Sequence, residues 1–508
     1  MKSKIKSSHA EYIRLTVSDM DKNSKRFWNY MKAHRSDKVS IECLNNNGVK
    51  ITDPKLVAET LNNQFNSVFN SDCSAVPSNL DPLGPHPGMA MMGEFECSTY
   101  EVRKLHKEID ANKSKGPDRI APRILKEGAD LLAPSLTKLF NASLQKGIVP
   151  NDWRQAHVTP VFKNGQKDDS SNYTPMSPKS IVSKTLERIV CNRLVRHLNT
   201  NNILNENQHG FRAGRSCETQ LLDAVHDWSS SLDNGNSVNV VFLDFAKAFD
   251  RVRHDLLYKK LNAYGIGHKN LKWIMNFLKN RTQRVVINGS CSSWSNVTSG
   301  VPQGTILGSV LFLCFINDIA DSIHSTIRLY ADDCTLYRPI STENDCAVLQ
   351  ADLNSLYAWS NRWKLSFNVR KCKVMNLSKK LQSEMIDYYI GDDKLPNTYS
   401  EKYLGVIINN KLNWSEQCHE VYSKCNRMMG LIKRNFRNCP ENVLKRLYIS
   451  LIRSRLDYRC IVWDPYRVSH SSILDNFQKR YVRFTCKDCH SNYNVLLSQL
   501  GWTNLVTS

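Results

Sequence analysis

Val238–Asp250 reads VNVVFLDFAKAFD, and Arg328–Tyr337 reads RLYADDCTLY. The first opens with a short apolar, β-branched run, Val238 to Phe245, that fits a buried strand carrying Asp244 at its end. In the second, residues 327–337 alternate around Asp332 and Asp333, which predicts a β-hairpin with both carboxylates at its tip. Adjacent carboxylates repel, so such a turn is costly unless a cation is bound. Alone, an Asp-Asp pair reads as a polar turn, and Asp244 as a strand end or a helix cap. Together the three place carboxylates on rigid elements, the hard oxygen ligands that magnesium prefers.

Other segments frame this pair. Residues 1–70 read as a helical extension, with Phe27, Trp28 and Met31 on one core face and Val57, Leu61, Phe65 and Phe69 on a second. Asn45, Asn46, Asn47 and Gly48 mark a turn between them. Residues 71–109 are read as a linker, rich in Pro, Gly, Ser and Met up to Gly93. Residues 121–147 predict a helix pair with Leu125, Leu131, Leu132, Leu136, Leu139 and Phe140 inward. Further helices are expected over 181–200, 255–263 and 270–279. From about Asn413 the pattern is helical and basic, with Lys424, Arg427, Lys433, Arg434 and Arg437 close together.

The chain has 508 residues, enough for two to four domains. With 69 basic and 48 acidic side chains its net charge is +21, which favours a polyanionic partner, either nucleic acid or an acidic membrane surface. No stretch reaches the roughly 18 apolar residues of a membrane span, and the basic N-terminus lacks the apolar core of a secretion signal. The 16 cysteines are scattered and read as reduced thiols in a nuclear or cytoplasmic protein. Cys486, Cys489 and His490 match the C-x-x-C-H string of haem attachment, but zinc would need two more paired ligands and nothing else suggests haem.

LDFAKAFD (Leu243–Asp250) and YADD (Tyr330–Asp333) resemble the metal-binding motifs of reverse transcriptases. Accompanying strings narrow the resemblance to retrotransposons without long terminal repeats, of the LINE-type, jockey-like kind. In order they are KSKGPD (Lys113–Asp118), NDWRQAHVTPVFK (Asn151–Lys163), QHGFRAGRS (Gln208–Ser216), SGVPQGTILG (Ser299–Gly308), FINDI (Phe315–Ile319), WKLSFNVRKCKVM (Trp363–Met375) and KYLGV (Lys402–Val406). DYRCIVWDP (Asp457–Pro465) and LGW (Leu500–Trp502) extend it towards the C-terminus.

The resemblance implies an α+β right-hand polymerase fold. Fingers and palm would occupy 110–408, the palm an antiparallel sheet backed by helices, and a helical basic thumb and C-terminal region would occupy 409–508. It implies RNA-directed DNA synthesis at a primer 3′ end, with two magnesium ions (manganese as the alternative) about 3.5–4 Å apart. The implied partners are an RNA template, a DNA primer or target, and deoxynucleoside triphosphates. Membrane binding is not implied, and oligomeric state is left open. Asp244, Asp332 and Asp333 become metal ligands together with the Phe245 carbonyl, and Tyr330 and Ala331 the hairpin beside the primer. Phe249 becomes the bulky side chain that excludes a 2′ hydroxyl, with plain core packing as the alternative. Gln303 and Gly304 contact the nucleotide, Lys163 and Arg212 are basic residues of the fingers, and Lys371 protonates the departing pyrophosphate.

Three positions depart from the family pattern. Thr174 stands in Asn172–Ser177 where an arginine supports the triphosphate, Arg119 replaces a glycine, and Ser309 a proline. Losing one charge-assisted hydrogen bond of about 1.5–3 kcal/mol would slow catalysis roughly tenfold to a hundredfold. The alternative reading is therefore an impaired remnant that only binds nucleic acid. No endonuclease motifs precede the polymerase strings, so a partial open reading frame is expected.

Overall fold

Alternate residues of the strand Ser237–Leu243 face two different cores, and this explains why Val240 to Leu243 is an unbroken apolar run. Val241 and Leu243 join one buried cluster, whereas Val238, Val240 and Phe242 join another. The computed structural model describes residues 2–18, 26–30, 41, 43–46, 48–69, 90–113, 115–163, 165–177, 179–380, 386–437, 439–503 and 505. It is a mixed helix and sheet protein.

The Ser237–Leu243 strand is central in a four-stranded antiparallel sheet, flanked by Lys373–Leu377 on one side and Asp333–Ile340 on the other. Thr326–Tyr330 lies outermost and forms the expected hairpin with Asp333–Ile340. One face is covered by the helices Ile181–Thr200, His254–Ala263 and Ile306–Ile316, the last buried almost all round as its unbroken apolar sequence requires. The other face is covered by Cys217–Asp233, the hairpin of Ser400–Tyr403 with Val406–Asn409, and C-terminal helices that include Ser415–Phe436 and Val468–Cys486.

A second sheet was not legible from the strings. Gln155–Phe162 pairs antiparallel with Tyr173–Met176, and its first half pairs parallel with Arg281–Ile287. The latter strand alternates buried and half-buried residues, a period of two.

Several sequence expectations need correction. The 1–70 segment is not helical throughout: Leu44–Asn46 and Val49–Ile51 form a hairpin, so the Asn-rich turn reverses a β-ribbon. Its helices also serve different cores. Ile13, Val17, Phe27 and Tyr30 pack with the C-terminal helices, the Phe27 and Phe436 rings 6.4 Å apart, while Val57, Leu61 and Phe65 of the helix Pro54–Asn66 cover the second sheet. Trp28 is exposed, Phe69 is half-buried, and Met31 lies outside the described residues. Within 71–109, residues 71–89 are also outside the description, but Thr99–Lys107 is a helix rather than linker. A Ser98–Glu101 capping box starts it, and Val102 and His106 are fully buried.

In the helix pair Pro122–Glu127 and Ala129–Lys146, Leu125 and Phe140 are buried as expected, but Leu131 and Leu139 are exposed. The inward stripe is Ala129, Ala133, Thr137, Phe140 and Leu144. Small side chains there let neighbouring helices approach, and apolarity alone points to the wrong face. The Cys486–His490 string is a helix end, with Lys487 left-handed at the cap and Asp488 accepting from the His490 and Ser491 amides. Every cysteine among the described residues is free.

FINDI is explained by packing. Lys260, fully buried, donates to the Phe315 carbonyl and the Asp318 carboxylate, and its ammonium sits 3.7 Å from the centre of the Trp363 ring. Burial pushes this lysine down to about 8. Trp363 ends the helix Glu343–Trp363, whose start depends on Asp345. The Asp345 carboxylate accepts from the Thr342 and Ser341 amides at 2.9 and 3.1 Å and pairs with Arg338, which holds its pKa near 2.

Asp345→Ala is expected to destabilise the protein by about 1 kcal/mol in denaturant melts at neutral pH. Because the folded-state pKa is depressed, this stabilisation is complete above the ordinary carboxylate value and lost as pH falls through about 2. The gap between wild type and variant should therefore close between about pH 4 and pH 2. A gap independent of pH would mean that the carboxylate charge contributes nothing.

Candidate active site

Strand register assembles the site. Leu243 stands opposite Cys334 in one ladder, and Phe242 opposite Lys373 in the other. Asp244 follows Leu243 and Asp333 precedes Cys334, so these two acids lie side by side at adjacent strand ends. Lys371 sits in the turn between Phe367, which bridges Phe245, and the strand Lys373–Leu377. Lys371 Nζ lies 3.3 Å from Asp244 Oδ2. That oxygen is buried and receives no hydrogen bond, so the ammonium is close but poorly aimed. The Asp244 backbone is held by the Asn368 amide, which donates to its carbonyl at 2.7 Å, and by the buried Cys372 thiol. Phe245 is buried and stacks on Phe367 with ring centres 4.5 Å apart.

Asp332 sits in the two-residue turn of the hairpin, after Ala331, whose φ is +54°. Burial and the Asp244 charge raise the Asp332 pKa, against the opposing pull of Lys163 and Lys371. Enclosure and the charges of Asp332 and Asp244 push Asp333 up to about 6, although its side chain retains solvent contact. Lys163, exposed just beyond the strand Gln155–Phe162, opposes both shifts. From the carboxylates a groove of about 650 Å³ runs past Lys373, Lys402 and Tyr403 to the Gly405 turn. Among the described residues no three acidic, histidine or cysteine side chains are drawn together as a ready-made metal cluster. Asp333 and Asp244 lie side by side, with Lys371 against Asp244.

Phe249 is half-buried on the short helix Ala248–Arg251. It stacks on Phe312 at 4.3 Å and meets the edge of Phe211 at 6.5 Å. Its carbonyl accepts from Val301 at 2.8 Å, so the SGVPQG loop is sewn to it. At Gly300, with φ +88°, a Cβ would lie 2.7 Å from the Asp250 carbonyl oxygen, so a glycine is required there. Gln303 is half-buried and Gly304 exposed, before the Thr305 cap that accepts from the Gly308 amide.

Residues 163–408 match the model of the reverse transcriptase (RNA-dependent DNA polymerase) family. The chain carries a reverse transcriptase domain. It is similar to the probable RNA-directed DNA polymerase from transposon X-element of Drosophila melanogaster, 26% identical over 75% of this chain and 43% of that protein. The corresponding protein from transposon BS of the same species is 29% identical, covering 77% of this chain and 44% of its own length. The RNA-directed DNA polymerase from mobile element jockey is 27% identical, covering 75% and 43%. The chain thus spans less than half the length of these curated relatives.

Within and beside the reverse transcriptase domain, Asp244, Asp332, Asp333, Phe245, Lys163 and Lys371 are brought together. Arg212 is not aimed at the carboxylates: its Nη1 donates to the Asn205 carbonyl at 2.7 Å. Tyr330 bonds the Cys217 thiol and is pushed up to about 12. Sequence reasoning missed Gln208 and Phe211, which lie in the quoted QHGFRAGRS string. A positive φ of +55° and 54% exposure at Phe211 are visible only in three dimensions.

Proposed function

We propose that the chain is an RNA-directed DNA polymerase of a mobile element, extending a primer 3′ end with deoxynucleotides on an RNA template. The observation that carries this reading is the convergence of Asp333, Asp244 and Lys371 inside the family-matched domain, the lysine 3.3 Å from Asp244. In this reading the four-stranded sheet is the palm, the second sheet and adjoining helices within 110–408 are the fingers, and 409–508 is the thumb. The 1–70 segment contacts both ends of this arrangement.

The acids suit divalent cations. Asp244 has a buried oxygen without a hydrogen bond, and the Asp333 pKa is raised by burial and then by its acidic neighbours, and a cation would relieve both. Two magnesium ions, with manganese as a substitute, would be held by Asp244, Asp332, Asp333 and the Phe245 carbonyl. When bound they supply charge stabilisation to the transferring phosphoryl group. Lys163, already close enough to act on Asp332 and Asp333, binds the triphosphate. Lys371 stands on the opposite flank of Asp244, placed to deliver a proton to the departing pyrophosphate. Phe249 fills the space that a ribose 2′ hydroxyl would need, with Gln303 and Gly304 beside it.

Extension of an RNA-templated DNA primer by the purified chain with magnesium tests the proposal. Binding without extension would leave only a nucleic-acid-binding remnant. Thr174 is the residue that favours this second outcome. It pairs with Val161, and strand alternation puts both on the face that continues to Lys163, opposite buried Tyr173. Thr174→Arg therefore adds a cation on the Lys163 face and should raise kcat/KM for deoxynucleotides roughly tenfold. Steady-state kinetics with varied nucleotide decide it, and no gain in a folded variant means the arginine is already compensated.

A further inference from the structure

We propose that Gln208 is a positioning residue that holds the Ala331–Asp332 turn in the geometry that nucleotidyl transfer needs. The inference rests on the polymerase reading above. Gln208 is 3% exposed, and its side chain addresses the turn and its own loop together. Its Oε1 accepts from the Ala331 amide at 2.9 Å and from the Gly210 amide at 2.7 Å, while Nε2 donates to the Ala331 carbonyl at 3.4 Å.

The surrounding contacts fit a clamp. Thr326–Tyr330 is the outer strand of its sheet, and its free edge is taken by the Gln208 segment. The Leu329 amide donates to the Asn207 carbonyl at 2.9 Å, and the His209 amide donates to the Leu329 carbonyl at 2.7 Å. The His209 ring is in turn 2.9 Å from the Thr219 hydroxyl, which ties the loop to the helix Cys217–Asp233. A Cβ at Gly210 would lie 2.3 Å from the Ala331 nitrogen, so only glycine lets the loop approach this closely.

What the clamp holds is a strained turn. Ala331 is left-handed, a conformation costly for any residue with a Cβ and retained only when its surroundings over-determine it. Asp332 follows directly, so the direction of its carboxylate depends on that backbone setting. A buried amide that satisfies both polar groups of Ala331 fixes the setting, whereas an apolar side chain of equal size fills the space without fixing it.

The test uses the full chain with Gln208→Met, which keeps the bulk, and Gln208→Glu, which keeps the acceptor for both amides. Primer extension is measured at saturating nucleotide across magnesium concentrations. Primer–template affinity, thermal melting and amide hydrogen exchange are measured in parallel. Gln208→Met should lower kcat roughly tenfold to a hundredfold and raise the half-saturating magnesium, with primer–template affinity within twofold. The Ala331 amide should lose protection, and Gln208→Glu should recover part of the rate. Wild-type kcat and magnesium midpoint in Gln208→Met overturn the proposal, as does a rate loss that only tracks melting temperature and is equal in both variants. If Gln208→Met does not fold, Gln208→Asn, too short to reach the turn, carries the same comparison. If the wild-type chain extends no primer, the polymerase reading fails separately. Hydrogen exchange then still decides the clamp, which unchanged Ala331 protection in the variant overturns.

Discussion

Asp332→Asn is expected to bring primer extension to background while primer–template binding stays within a few-fold of wild type. An amide oxygen replaces the carboxylate at nearly the same size, so the hairpin geometry is preserved and only charge is lost. In the proposed mechanism, charge stabilisation of several kcal/mol at the transferring phosphoryl group would depend on the ions this carboxylate would help to hold. About 4 kcal/mol of lost stabilisation corresponds to a drop of about 1,000-fold in rate. Folding should not suffer, because burial and the Asp244 charge already disfavour an ionised Asp332. Melting temperature should therefore hold or rise, which separates loss of function from loss of fold. Extension near the wild-type rate would remove Asp332 from the catalytic set.

Phe249→Val is expected to reduce discrimination against ribonucleotides by roughly 10- to 100-fold, even as overall activity falls. The Phe249 ring stacks on Phe312 and stands edge-on to Phe211, so its position is braced from two sides. A braced ring excludes a hydroxyl by volume, and valine opens that volume. The same substitution removes packing against Phe312 and will slow both sugars somewhat. The informative quantity is therefore the ratio of kcat/KM for deoxy- and ribonucleotides on one RNA template. Equal losses for both would make Phe249 a packing residue and leave the gate elsewhere, with Phe211 the first candidate to examine.

The elements that sequence made legible are those whose signal is local. The apolar run before Asp244, the alternation around Asp332 and Asp333, and the helix Ile181–Thr200 each announce themselves within a short window. Misreadings arose where neighbours outside the window decide. Leu131 and Leu139 are apolar yet exposed, because the helix turns Ala133 and Thr137 towards its partners. Gln155–Phe162 becomes a strand beside Arg281–Ile287, a parallel pairing with more than a hundred residues between its members. Leu44–Asn46 pairs with Val49–Ile51 as strands, and Leu44 is buried against the second sheet.

By itself, the sequence determined which residues to look at: the acids Asp244, Asp332 and Asp333 from the strand and hairpin patterns and, through the family resemblance, the lysines 163 and 371 and the glycines of SGVPQG. Local periodicity and short motif strings suffice for that, since both are properties of a short segment of chain. Only the tertiary structure decided how those residues meet. Tertiary packing sets Asp333 beside Asp244 and Lys371 at 3.3 Å from Asp244, turns Arg212 towards the Asn205 carbonyl, and brings the Gln208 amide onto the Ala331 turn. The first and last of those arrangements depend on contacts between segments distant along the chain. The energy of such a contact exists only once both segments are folded against each other, so no local pattern encodes it.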